Sequence, residues 1–269
     1  MSTSDFSRLF QILRAEGVRG LVGPATGYLL NRLLSTPNRI RLRAFRYRCS
    51  GHPGIGNPLR VYTVSADDLH HCITRSEFSE PTAGFTISSG SWDRDAIPIE
   101  EFPLYIMCKR HFEEGVAWEE TERFRKRKAT LESDGSFGEL DLDPDQQSLD
   151  AYREYLEYLD FLYESIEQEG YKRQSELGPD ADFVNRERQH PALGEIELFI
   201  GRDGTLIAGS GLHRLCIAKL LDVEILPVRT HVRHRAFQEI RDEIATTPRE
   251  ELSERAKRTL SHPEIADLV

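Results

Sequence analysis

A glycine-flanked serine, Gly209-Ser210-Gly211, stands directly before Leu212-His213-Arg214 and an apolar run that reaches residue 221. Glycine at such a strand-to-helix corner lets the backbone approach a ligand, and the first helical turn presents N–H groups with no partner inside the helix. Together with the positive end of the helix dipole they form an anion site. Arg214 adds a guanidinium able to hold a phosphate through two parallel hydrogen bonds. His213 adds a donor whose charge depends on pH. The same spacing also serves plain packing, where a small residue lets a helix meet a strand. Ser210, Gly211, His213 and Arg214 are therefore the candidate ligand-binding residues, and the residues alone leave open whether any catalysis occurs there.

Other reactive side chains point less clearly to chemistry. Cys49, Cys72, Cys108 and Cys216 never form a CxxC pair, which argues against a zinc site and a secreted disulfide framework. His70-His71-Cys72 cannot converge on one ion, because neighbours point to opposite sides of a strand or about 100° apart on a helix. The pair reads as surface histidines, and His231 and His234 read the same way. No metal site is expected. Trp92, after a Ser/Gly loop, reads first as a core-filling ring and second as the wall of a ligand cleft.

The elements that must position the turn follow from hydrophobic period. Ile196, Leu198 and Ile200 alternate with Glu195, Glu197 and Phe199, as in a half-buried strand whose glutamates face solvent. Gly201-Arg202-Asp203-Gly204 makes a hairpin turn, residues 205–208 the return strand, and residues 212–221 a buried helix. Leu226, Val228, Thr230 and Val232 alternate in a closing strand. Upstream, Leu149, Tyr152, Leu156, Leu159, Tyr163 and Ile166 step by three and four, the clearest amphipathic helix of the chain.

Residues 59–64 suit a short strand, followed by a capped turn at 65–68 and a short helix over 69–73. Helices are expected over 100–114 and 118–128, a loop over 88–95, an acidic exposed connection over 132–147 and a linker over 51–58. Helical pieces are predicted at 6–13 and 28–34. Around Arg39, Arg43 and Arg46 a helix is favoured over a strand.

The chain has 269 residues and a net charge of −10, unevenly distributed. Nine arginines stand against Asp5 and Glu16 in residues 1–48, so this arm carries +7 and the rest −17. Only six lysines occur, which suits either a carboxylate-rich protein adapted to high salt or a GC-rich genome. There is no spanning apolar stretch and no secretory leader, so a cytoplasmic location is expected. The arm suits an interfacial anchor on anionic lipid or an acidic partner, and equally a segment folded back on its own acidic body.

Gly170-Tyr171 after a helix, the Gly211-Leu212-His213-Arg214 turn, Ala218-Lys219-Leu220-Leu221 and Ile225-Leu226-Pro227-Val228 together resemble the ParB/sulfiredoxin-like superfamily. The likeness covers residues 150–235 well and 59–73 less closely. It implies an α+β fold, a small mixed sheet of that type wrapped by helices. The organisation would be a basic helical arm at 1–50, the domain at 58–235 with a helical insertion at about 92–147, and a helical tail at 236–269. Sulfiredoxins carry their catalytic cysteine at the position of Leu212, so that reductase chemistry is not expected, and Cys216 reads as core. ParB-type CTP switches have glutamate there, and the free-serine kinases have aspartate near Ser210. The resemblance thus implies binding of a nucleotide such as ATP, ADP or CTP, with Mg, or of another phosphorylated ligand. One alternative is a small-molecule phosphotransferase borrowing a carboxylate, Glu195 or Glu197. Another is a non-enzymatic adaptor docking through residues 1–48 to membrane or an acidic partner. Nucleic acid ranks last, since the acidic body opposes DNA phosphates and too few helices follow residue 234 for a helix-turn-helix module.

Overall fold

The computed structural model describes residues 36–73, 85–134, 148–177 and 190–269. The helical pieces expected at 6–13 and 28–34, and nearly all of the acidic connection at 132–147, lie outside the described residues. Within them the fold is α+β, with seven α-helices and a seven-stranded mixed sheet. The helices are α1 (Thr36–Cys49), α2 (Pro103–Phe112), α3 (Glu122–Asp134), α4 (Leu149–Glu169), α5 (Leu212–Leu220), α6 (Arg235–Thr246) and α7 (Glu254–Thr259). The strands are β1 (Val61–Ser65), β2 (His71–Cys72), β3 (Thr86–Ser88), β4 (Ile97–Pro98), β5 (Ile196–Ile200), β6 (Leu206–Ser210) and β7 (Ile225–His234). Among the described residues no helix is long and apolar enough to cross a membrane.

The ten-residue β7 is the spine of the sheet. β1 pairs with its first half antiparallel and β3 with its last three residues parallel. On its other edge β5 runs parallel, followed by β6, β2 and β4. Ile196, Leu198, Ile200, Ala208, Leu226 and Val228 share one core with Leu215 to Ala218 of α5 and with residues of α2, α4 and α6. Phe199, Ile207 and Val232 pack with Trp92 and Ile73 in a separate cluster. α1 buries Ile40 and Ala44, four residues apart on one helical face, against Leu59, Phe85 and Ile87. The helix favoured around Arg39, Arg43 and Arg46 is present, and Arg43 donates to the Phe85 carbonyl at 3.3 Å.

Cover on both faces changes how the strands read. All five residues of β5 are buried, so Glu195 and Glu197 do not face solvent as their alternation suggests; they are 2% and 3% exposed. His231 and His234, read as surface residues, are likewise buried. A strand in mid-sheet under helices on both sides has no wet face, and polar residues there must find internal partners.

Two further expectations give way. Residues 69–73 form no helix: after one 3-10 turn capped by Ser65, His71 and Cys72 pair with β6 and β4 as strand β2. Five residues cannot sustain a helix against two flanking ladders. The expected linker at 51–58 is pinned, with Gly54 N–H donating to Asp242 at 2.9 Å and the Gly54 carbonyl accepting from Arg241 Nε at 2.8 Å.

A bulge in the β5–β7 register shifts the pairing from Leu198↔Thr230 to Phe199↔Val232, so His231 is the extra residue. The shift brings Arg233 to the same partner as Thr230, the buried Glu264 near the C-terminus. Glu264 accepts from Arg233 Nε at 2.6 Å, Arg241 Nη1 at 2.6 Å and Thr230 Oγ1 at 3.2 Å. Arg241 also grips Asp267 with two bonds of 2.9 and 3.0 Å.

Gly209 on β6 illustrates how tightly the sheet is covered. A Cβ there would overlap the Phe199 ring. Gly209→Ala is expected to cost about 1–3 kcal/mol through overpacking, read as a lower urea midpoint with unchanged slope. A variant as stable as the parent would show that the Phe199 ring can move aside.

Candidate functional site

The strand–turn–helix corner forms where the sequence puts it. β6 ends at Ser210, which pairs with Glu197 across the hairpin, and Gly211 takes a left-handed conformation at φ 74°, ψ 22°. That conformation favours glycine, and a Cβ at 211 would also lie 3.1 Å from the Ile196 Cα. α5 starts at the next residue, so the N–H groups of Leu212, His213 and Arg214 are the unpaired donors of its first turn.

The two polar side chains of the turn diverge. Arg214 reaches back toward β5: Nη2 donates to the Gly194 carbonyl, Nη1 lies 3.8 Å from Glu195 Oε2, and the guanidinium sits 5.8 Å from the centre of the Tyr171 ring. Glu195 Oε1 accepts from the Gln174 N–H at 2.8 Å. Arg214 Nη1, Glu195 Oε2 and Tyr171 Oη are buried and have no hydrogen-bond partner among the described residues. Burial raises the Glu195 carboxyl above its usual range, although the Gln174 bond and Arg214 oppose the shift. Burial likewise pushes the Tyr171 hydroxyl up to about 12 against the pull of Arg214, so it stays a donor near neutral pH.

His213 leans the other way, onto α4, with its ring edge-on to Tyr155 at 5.3 Å and 71°. Burial, then the positive charges of Arg123, Arg127 and Arg214, lower its pKa to about 4. The imidazole is neutral near pH 7 and supplies no charge to the turn. The structure therefore brings Ser210, Gly211 and Arg214 to one corner and adds Glu195, Tyr171 and Gln174, while His213 joins α3 and α4. Sequence reasoning missed Tyr171 and Gln174 as site residues. The signal for Tyr171 was its place just after the helix-ending Gly170, and Gln174 had none.

A second buried polar cluster lies on β5 and β7. Glu197 Oε1 accepts from Arg229 Nη2, and Glu197 Oε2 lies 2.9 Å from His231 Nδ1. The His231 ring stacks on Phe199 at 5.4 Å and 16°. Trp92 packs edge-on to Phe199 at 5.9 Å, as a core ring. Beside it Asp93 holds the β5–β6 hairpin through Arg202 Nε at 2.8 Å. Burial favours protonation of Asp93, but the Arg202 bonds outweigh it and hold the pKa at about 2.

The α5 corner can bind an anion through one guanidinium, a phenol and three backbone N–H groups, with one carboxyl able to exchange a proton. Glu195 is the carboxylate at this corner, so a magnesium ion would be held mainly by a ligand's phosphates. Among the described residues no group of three or more His, Cys, Asp or Glu side chains gathers to hold a metal. Leu212 and Cys216, the latter 1% exposed within the core, offer no nucleophile. Compared with protein-family models, curated proteins and solved structures, the chain matches none.

Proposed function

We propose that the chain is a ParB/sulfiredoxin-like domain protein that binds a nucleotide or another phosphorylated ligand at the start of α5. The observation that supports this most is the gathering of Arg214 Nη1, Tyr171 Oη and Glu195 Oε2 without hydrogen-bond partners among the described residues, beside the first turn of α5. Buried polar atoms require partners, and a phosphate supplies acceptors to the guanidinium, the phenol and the helix N–H groups together. The raised Glu195 pKa favours taking up a proton as an anion arrives, which turns repulsion into a donated hydrogen bond.

Isothermal titration with ATP, ADP and CTP tests the reading. At least one nucleotide should give saturable heat, and Arg214→Ala should weaken it by roughly 10- to 100-fold, the worth of hydrogen bonds from a charged group. No heat from any of the three, with wild type and variant alike, removes the proposal.

A phosphotransferase resembling the free-serine kinases is a second reading, favoured by the position of Glu195 beside Arg214. Its carboxylate would take the proton of an acceptor hydroxyl as that oxygen attacks the terminal phosphorus, with a nucleoside diphosphate leaving. Tight nucleotide binding without transfer to serine or sugars excludes it.

A further inference from the structure

The α5 corner pairs one guanidinium with one buried carboxyl, so its charge is balanced before any ligand arrives. Arg214 Nη1 lies 3.8 Å from Glu195 Oε2, and Glu195 is 2% exposed. Oε1 of that carboxyl accepts from the Gln174 N–H at 2.8 Å, whereas Oε2 has no hydrogen-bond partner among the described residues. Around the carboxyl stand Arg214 of α5, then Tyr171, Arg173 and Glu176 of the segment after α4, with Tyr158 of α4 behind Tyr171. Arg173 and Glu176 are exposed and of opposite sign, so they leave the balance unchanged.

An anion that reaches Arg214 therefore meets a guanidinium already shared with a carboxylate. Two anions side by side in a desolvated corner do not both stay ionised, and one proton must lie between them. Burial, the largest influence on Glu195, already holds its carboxyl above the usual range and so closer to the second ionisation of a phosphate monoester, near pH 6. A terminal phosphate can bring the proton itself. A sulfate ester of the same shape has none to bring and must wait for Glu195 to take one from solvent. With the proton in place, Glu195 Oε2 and one phosphate oxygen share it. The other oxygens accept from Arg214 Nη1, Tyr171 Oη and the first N–H groups of α5.

Resting on the reading of this corner as a phosphate site, we propose that Glu195 is its specificity-determining residue: it selects a terminal phosphate that shares one proton with Oε2 and disfavours a sulfate of the same shape.

ADP and adenosine 5′-phosphosulfate, which differ in carrying phosphorus or sulfur at the terminal position, are the probes, each titrated into the full chain. At about pH 7.5 ADP should bind at least about tenfold more tightly, because the sulfate leaves Oε2 facing an anion with no proton between them. ADP binding should also take up close to one proton per site, read as the change in heat between buffers of different ionisation enthalpy. Glu195→Gln keeps an oxygen for the Gln174 N–H and offers an N–H to either ligand. In that variant proton uptake should fall to near zero and the preference for ADP to less than about threefold. Equal wild-type affinities for the two ligands, or ADP binding without proton uptake, overturn the proposal whatever the variant does. A Glu195→Gln protein that keeps both the uptake and the preference also overturns it. Failure of ADP to bind while ATP or CTP does removes the selectivity and leaves the phosphate reading standing; no heat from any nucleotide removes both.

Discussion

Replacing Glu264 by alanine should lower the unfolding free energy by about 3–5 kcal/mol, the range for removing one partner of a buried ion pair. Glu264 is 2% exposed and is the shared acceptor of Arg233 and Arg241, themselves 3% and 0% exposed. Without it two guanidiniums remain in the interior, and the direct ion pair with Asp267 at 2.9 Å is made by Arg241. Burial raises the Glu264 carboxyl, but the charges of Arg233 and Arg241 outweigh that and hold it below its usual range. The effect should reach beyond the tail. Arg233 also bonds the Ile55 carbonyl and Gln238, and Arg241 bonds the Gly54 carbonyl, so β7, α6 and the segment at 53–55 lose a common anchor. Urea denaturation at neutral pH measures the loss, which corresponds to a fall in Tm on the order of 10 °C. A loss under about 1 kcal/mol would mean that water enters and solvates the arginines at little cost.

Acidification should weaken the fold in two separable windows, the first belonging to His213. The folded protein keeps this imidazole neutral down to about pH 4, whereas an unfolded chain protonates it near its ordinary value of 6.5. Between those values the unfolded state binds more protons, so stability falls as pH is lowered. The full span is worth up to about 3 kcal/mol. Burial also lowers His190 and His262, which act in the same direction. The second window opens lower, where Glu264 and Asp93, both held below their ordinary values, take up protons and release their arginines. Urea midpoints from pH 8 to 4 should therefore decline below about 6.5, and His213→Gln should flatten much of that decline. Equal slopes for the variant and its parent would show that His213 is solvated in the folded state.

The two acid windows rest on residues whose roles were legible to different degrees. The α5 corner was visible because its signals are local: a glycine for the left-handed position, an apolar run after it, and a two-glycine hairpin before it. α4 was visible because its period of three and four persists through 21 residues. His213 and Arg214 were paired in one cradle on sequence grounds, although adjacent helix residues point about 100° apart. Tyr155 on one side and Gly194 with Glu195 on the other make use of that divergence.

What the sequence determined by itself is what short-range stereochemistry controls: α5 with its glycine corner, the β5–β6 hairpin and the long α4. Tertiary structure alone decided which polar groups are internal. Alternation along β5 and β7 looks the same whether the second face meets water or other elements, and here α1, Trp92 and the C-terminal segment cover it. That cover turned Glu195, Glu197, His231 and Glu264 into buried groups needing partners. It also brought Tyr171 and Glu195 to Arg214 from distant places in the chain. Burial depends on what arrives from elsewhere, and no local pattern carries that information.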